Sequence, residues 1–322
     1  AEHTAVYPGD EGSLAHIAAT QFFKNFPQTR LVGTSSFAEA FEAVSSGEAF
    51  YAVVPIENSA SGTLHKTYDL LVNHDVVIGG ELGVRETYCL CAKEGVELGA
   101  VRNVFSHPNI LEACSVFLEA RLAPGFHLAS TRTSTEAAQR VAHCGADGAA
   151  VASREAAARH GLRALAEDIG NDSFLETRYI LVHARSGPAA SRPSPFPRDV
   201  LSPVMKRSAC FALRNEPGAI FRLLSCWALR GVDVLKVETR PLAAGRRAPA
   251  GLPPGMARLW DYLFYVDYAV SPGMSQEASD RLAASLSEFS LWQCDFGAYP
   301  SLLTRAEKQA QSWDEMLDLM SK

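Results

Sequence analysis

The sequence predicts an α/β protein: a two-lobed domain of alternating strands and helices, followed by a smaller βαββαβ domain. Three observations carry this. From Thr4 to about Arg185, short apolar runs alternate with amphipathic segments of helical period. The stretch 186–204 holds five prolines among small polar residues, which reads as an extended, semi-rigid linker. Beyond it, apolar runs and amphipathic segments follow the order strand, helix, strand, strand, helix, strand.

In the first group, Val6 and Tyr7 mark a strand. Ser13 caps a helix through Asn25, with His16, Ile17, Thr20 and Phe23 at helical spacing. Phe37, Ala40, Phe41 and Val44 mark a second helix, stopped by Gly47. The near-continuous apolar run Phe50 to Ile56 suits a buried parallel strand. Leu64 to His74 reads as a helix, and Val76 to Leu82 and Glu86 to Ala92 as strands.

A second group follows. Val101 to Phe105, Phe126 to Ser130 and Ala149 to Ala152 read as strands. Asn109 to Leu122 reads as one helix, Thr135 to Cys144 as another with Ser134 as its cap, and Arg154 to His160 as a third ended by Gly161. Thr177 to Ala184 closes the region as a strand. Mainly parallel pairing is expected, in two lobes with a cleft between them. After the linker come strand Ser208–Leu213, helix Gly218–Leu229, strand Val232–Thr239, strand Leu259–Val270, helix Ser275–Phe289 and strand Trp292–Phe296. Leu242 to Ala257 reads as a long loop, and the tail from Leu303 as a docked helix. The domain boundaries expected are 1–185, 186–204, 205–302 and 303–322.

Composition narrows the classes. A formal net charge of -6 disfavours non-specific nucleic-acid binding. No apolar run approaches the ~20 residues that span a bilayer. Seven cysteines without zinc spacing read as free thiols in a reducing compartment. There is no G-x-G-x-x-G, P-loop, G-x-S-x-G or H-E-x-x-H, so no nicotinamide cofactor or metal is expected. No signal or transit pattern precedes Thr4, so any targeting segment is expected to have been removed or never present.

Three constellations could carry chemistry. In the first, an apolar strand delivers Glu57, Asn58 and Ser59 to a loop that leads through Gly62 into a helix. Taken alone, the segment is better read as an ordinary βα loop with a capping Asn or Ser. In the second, Ser106-His107-Pro108 ends a strand before a helix and could hold a carboxylate. Taken alone, His107 is better read as a satisfied structural histidine. In the third, Thr177-Arg178-Tyr179 opens the closing strand and is chemically unremarkable by itself.

Taken together and in this order, the three resemble the prephenate dehydratase family, and in particular its plant-type arogenate dehydratase branch. Glu57-Asn58-Ser59 with Leu64-His65-Lys66-Thr67-Tyr68-Asp69-Leu70-Leu71 resembles that branch's loop and helix. Ser106-His107-Pro108 matches a family motif, and Thr177-Arg178-Tyr179 resembles the family's Thr-Arg-Phe with Tyr in the last place. Beyond the linker, Asn215-Glu216-Pro217-Gly218-Ala219-Ile220, Glu238-Thr239-Arg240-Pro241 and Trp260-Asp261-Tyr262-Leu263-Phe264-Tyr265-Val266-Asp267 resemble an ACT domain.

The resemblance implies a periplasmic-binding-protein-like catalytic domain with a ferredoxin-like ACT domain. It implies a lyase that removes water and CO2 from arogenate, or from prephenate, with no cofactor. Thr177 would donate to the leaving oxygen, and Arg178 would bind a substrate carboxylate or form a structural ion pair. Glu57, Asn58, Ser59, Ser106, His107, Thr135, Tyr179 and Gly62 would complete the site. Ring and side-chain carboxylates should be treated differently: cations should grip the latter and leave the former drier, since ion pairing opposes decarboxylation. Phenylalanine would bind between Asn215, Pro217, Gly218, Ala219 and Ile220 of one subunit and Glu238, Thr239 and Arg240 of another, in a dimer or tetramer. A plastid location is implied for a plant or algal source, and the cytoplasm otherwise. The rival class is a non-catalytic amino-acid-binding protein, which two α/β lobes with a cleft would also suit.

Overall fold

The computed structural model describes residues 3–172, 175–186, 204–242, 249, 251–253, 261–270 and 273–301. The chain divides into two compact units: Ala1–Val76 with Val84–Pro195, and Val77–Gly83 with Phe196–Lys322. The expected linker, the loop 242–257 and the C-terminal tail fall largely or wholly outside the described residues.

The first lobe runs through β1 (His3–Pro8), α1 (Leu14–Phe22), β2 (Thr29–Thr34), α2 (Phe37–Ser46), β3 (Tyr51–Asn58), β4 (Gly62–Thr63) and α3 (His65–Asn73), and β5 (Val76–Arg85) follows, most of it the Val77–Gly83 segment of the other unit. The second comprises β6 (Cys89–Ala92), β7 (Asn103–Ser106), α4 (Pro108–Ala113), α5 (Ser115–Arg121), β8 (His127–Ser130), α6 (Ser134–His143), β9 (Gly148–Ala152), α7 (Arg154–Arg159) and β10 (Arg163–Ala166). Strand β11 (Glu176–Ala184) then returns to the first lobe.

Helix starts follow side-chain caps. Ser13, Ser36 and Ser153 each accept the backbone N–H three residues on, worth about 1 kcal/mol apiece. Gly47, at φ 81°, ends α2 in the left-handed conformation that only glycine adopts without cost.

Pairing departs from the parallel expectation. β1 lies parallel to β2 and β3, but β11 is antiparallel to β3. In the second lobe β7 is parallel to β8 and β9, while β6 and β10 run antiparallel. The antiparallel members are the strands by which the chain enters the second lobe and comes back. Two further differences are local. The helix expected over Asn109–Leu122 is broken at the fully buried Cys114, which ends α4 and begins α5. The cap of α6 is Thr133, whose hydroxyl accepts from Glu136 N at 3.0 Å, and Ser134 is already helical.

The second unit holds β12 (Val204–Ala212), α8 (Ala219–Ala228), β13 (Val234–Pro241), β14 (Tyr262–Val270), α9 (Gln276–Phe289) and β15 (Trp292–Ser301). Its antiparallel strand order is β13-β14-β12-β15. Phe211 and Val266 on one face pack with Leu223, Trp227, Leu282 and Leu286 of the helices. The other face carries a buried polar layer. Lys206 is ion-paired with the fully buried Glu81 of the Val77–Gly83 segment. Ser208 Oγ lies 2.6 Å from Asp267 Oδ1 and 2.7 Å from the Tyr299 hydroxyl.

Candidate active site

The site begins with the register of two strands. β3 and β11 set Asn58 opposite Thr177 and Glu57 opposite Arg178. An irregularity after Arg178 then brings Tyr179 opposite Pro55. Alternation along β11 sends Thr177 and Tyr179 to one face and Arg178 to the other. Thr177, Tyr179 and Asn58 line a cleft of about 780 Å³. His107, Asn109 and Glu112 from the second lobe and Glu86 and Tyr88 from the crossing between lobes complete its wall.

Asn58 has a single orientation. Its Oδ1 accepts the backbone N–H groups of Ala60 at 2.9 Å and Ser61 at 3.0 Å, an Asx-turn arrangement. Its Nδ2 must then point inward, where it donates to Glu86 Oε1 and to Thr177 Oγ1, each at 2.9 Å. The Thr177 hydroxyl donates to Glu86 Oε1, and the Tyr88 hydroxyl donates to Glu86 Oε2. Glu86 is therefore the hub of the cleft. Burial, with the Glu86 charge second, holds the Tyr179 and Tyr88 phenols far above their ordinary ionisation range, so both stay O–H donors.

The His107 ring has a defined tautomer. Nδ1 accepts the Asn109 backbone N–H at 3.3 Å, which leaves the ring proton on Nε2. Asn171 latches the floor: its side chain accepts from Val116 N and donates to Glu112 O and Ser115 Oγ.

The structure gathers only some of the residues that the sequence singled out. Arg178 Nη2 lies 3.5 Å from Glu57 Oε2, and this pair stands outside the cleft lining. Ser59 stitches the end of β3 to the start of β11: its N–H donates to Glu176 O and its Oγ accepts from Glu176 N. Gly62, at φ 77°, shapes β4 and does not line the cleft. The Ser106 hydroxyl is fully buried and donates to Val151 O at 2.7 Å. Thr135 is buried in the first turn of α6. Two residues at the centre of the site, Glu86 and Tyr88, were not singled out. The sequence reads Glu86 to Ala92 as one strand, whereas β6 starts only at Cys89 and leaves Glu86 and Tyr88 in the break after β5. Among the described lining residues no Lys or Arg occurs, so no cation of the kind expected for the side-chain carboxylate stands in the cleft.

In the second unit Gly218, at φ 77°, caps α8. Antiparallel register puts Thr239 with Phe264 on the helix side of the sheet, and Glu238 and Arg240 with Tyr265 and Leu263 on the other. Glu238 and Arg240 therefore face away from the α8 start within one chain.

Comparisons with known proteins follow the same lines. A family model described as prephenate dehydratase matches residues 5–187. The chain is 35% identical over 297 residues to arogenate dehydratase/prephenate dehydratase 2, chloroplastic, of Arabidopsis thaliana, covering 91% of this chain and 72% of that protein. It is 34% identical to arogenate dehydratase 2 of Petunia hybrida, covering 92% and 71%. A solved prephenate dehydratase from Arthrobacter aurescens in complex with L-Phe superposes with a TM-score of 0.74 at 26% identity, covering 96% of this chain and 92% of that one. Among the described residues no helix is long and apolar enough to cross a membrane.

Proposed function

Because the chain belongs to the prephenate dehydratase family, we propose that it is an arogenate dehydratase, which converts L-arogenate to L-phenylalanine, CO2 and water. The ring carboxylate leaves as CO2 and its bonding pair enters the ring. The bond from the opposite ring carbon to its hydroxyl breaks towards oxygen, and the departing oxygen takes a proton. Aromatisation drives the step, so no base at carbon is required. The protein must orient the ring and supply a donor for the leaving oxygen. Thr177 is that donor, with Asn58 and Glu86 fixing its hydroxyl from two sides.

The observation that carries arogenate over prephenate is the charge of the cleft. Glu86, Glu112 and Asp172 line it, and no Lys or Arg does so among the described residues. Both substrates carry two carboxylates, but only arogenate carries an ammonium group. An acidic, cation-free wall repels the more anionic prephenate. It also leaves the ring carboxylate without an ion pair to hold it back. His107 Nε2–H and the Asn109 amide are the donors for the side-chain carboxylate. The test is kcat/KM for L-arogenate and for prephenate on one preparation. At least about tenfold preference for arogenate is expected, and preference for prephenate overturns the assignment.

The second unit is proposed as a phenylalanine sensor, supported by its βαββαβ order, by Gly218 opening α8 and by the L-Phe held by the Arthrobacter relative. Glu238 and Arg240 face away from α8, so a pocket using both motifs calls for a second copy, and the protein would act as a dimer or larger. Phenylalanine titration should lower the rate and raise the melting temperature. No change in either removes the sensor. The chloroplast naming of the plant relatives supports a plastid location, which imaging of the protein in its own cells tests.

A further inference from the structure

Glu86 lies in the break between β5 and β6, with its carboxylate on the cleft wall. An ionised carboxylate offers about four acceptor positions, two on each oxygen. Oε1 takes the Thr177 hydroxyl and Asn58 Nδ2. Oε2 takes the Tyr88 hydroxyl. One acceptor position on Oε2 therefore remains. The surrounding donors cannot fill it: the hydroxyls of Thr177 and Tyr88 each have one proton, and Asn58 Nδ2 spends both of its own on Glu86 and Thr177. Among the described residues the carboxylate is thus held from three directions and lacks one strong donor.

The other two carboxylates of the cleft are differently placed. Glu112 and Asp172 are exposed, where solvent and salt screen them. Glu86 is half-buried and locked in position.

We infer that Glu86 receives the ammonium group of the substrate on Oε2 and is the residue that distinguishes an amine from a ketone. This rests on the arogenate reading. A charge-assisted N–H···O contact suits the open position. The keto oxygen of prephenate has no proton to donate and meets a carboxylate oxygen as acceptor against acceptor. The contact also bears on Thr177. An ammonium on Oε2 offsets the carboxylate charge, loosens its hold on the Thr177 proton through Oε1 and frees that proton for the leaving oxygen. Discrimination should therefore appear in kcat as well as in KM.

Replacement Glu86→Gln keeps the shape and removes the charge. It should lower kcat/KM for L-arogenate at least about tenfold more than that for prephenate, whose own fall reports the weakened hold on the Thr177 hydroxyl. An equal fall for both substrates, or no change in their ratio, overturns the assignment. Circular dichroism and melting temperature check the fold. Should Glu86→Gln fail to fold, Glu86→Asp, which keeps the charge but withdraws it by one methylene, is read by the same ratio and should shift it in the same direction. The two readings fail separately. A wild-type enzyme that prefers prephenate refutes the arogenate assignment, whereas an arogenate-preferring enzyme whose preference survives both replacements refutes only the role of Glu86.

Discussion

The hydroxyl of Thr177 donates to the carboxylate of Glu86, a residue 91 positions earlier in the chain, and Asn58 donates to both. Replacement of Thr177 by Val keeps the branched shape and deletes the donor. It should lower kcat by about 10²–10⁴. Stability should fall by only about 1–3 kcal/mol, because Asn58 and Glu86 each lose one partner. A kcat within a few-fold of wild type would remove Thr177 from the chemistry.

Alkaline stability should report the two cleft phenols. Tyr88 and Tyr179 have their ionisation raised by burial and then by the Glu86 charge. The native state therefore favours their neutral forms. Their contribution is complete below the unfolded phenol value of about 10 and is lost as pH climbs above it, at about 1.4 kcal/mol per pH unit for each group. Burial also pushes the Cys91 and Cys114 thiols up to about 12, with the same sign from a lower onset. Melting temperature should fall with rising slope above pH 10, and Tyr179→Phe should flatten that slope. An unchanged slope in the variant contradicts the burial argument.

Thiol reactivity should be sparse. Cys89, Cys91, Cys114, Cys210 and Cys226 are buried and free, whereas Cys144 and Cys294 are half-buried. The thiolate is the reactive form, and burial suppresses it. Native protein at pH 8 should react with a disulfide reagent at no more than two sites, against seven after denaturation. Fast modification of a third native thiol would show the fold to be looser than described.

The polar layer of the second unit gives a stability test. Lys206→Met leaves the fully buried Glu81 without its cation, at a cost of about 3–5 kcal/mol by urea unfolding. Adding Glu81→Gln should recover part of that loss. If the double variant is no better than the single one, Glu81 and Lys206 are not energetically coupled.

Local signals were readable where one residue decides the outcome. Ser13 and Gly47 announce their helix ends, and the apolar run of β3 announces a buried strand. The α6 boundary slipped by one because Thr133 and Ser134 are adjacent hydroxyls and only backbone geometry selects the cap. The break at Cys114 was hidden because an apolar helix face continues through Leu111 and Leu118 on both sides of it. The site split along the same line. Asn58 and Thr177 could be singled out because they sit in motifs, while Glu86 could not. Its role depends on the antiparallel return of β11, which brings residue 177 beside residue 58 and both within reach of residue 86. Arg178 and Glu57 sit in the same motifs as their neighbours, but strand alternation turns them away from the cleft.

Segment Val77–Gly83 packs with the C-terminal unit, although the sequence on both sides of it belongs to the other unit. The chain therefore passes between units three times, and no single cut yields two complete pieces. A gene fragment that begins at Val204 would encode Lys206 without Glu81, the carboxylate that pairs with it. Moving this C-terminal unit onto another enzyme would require that seven-residue segment as well, supplied as a separate peptide or joined by circular permutation.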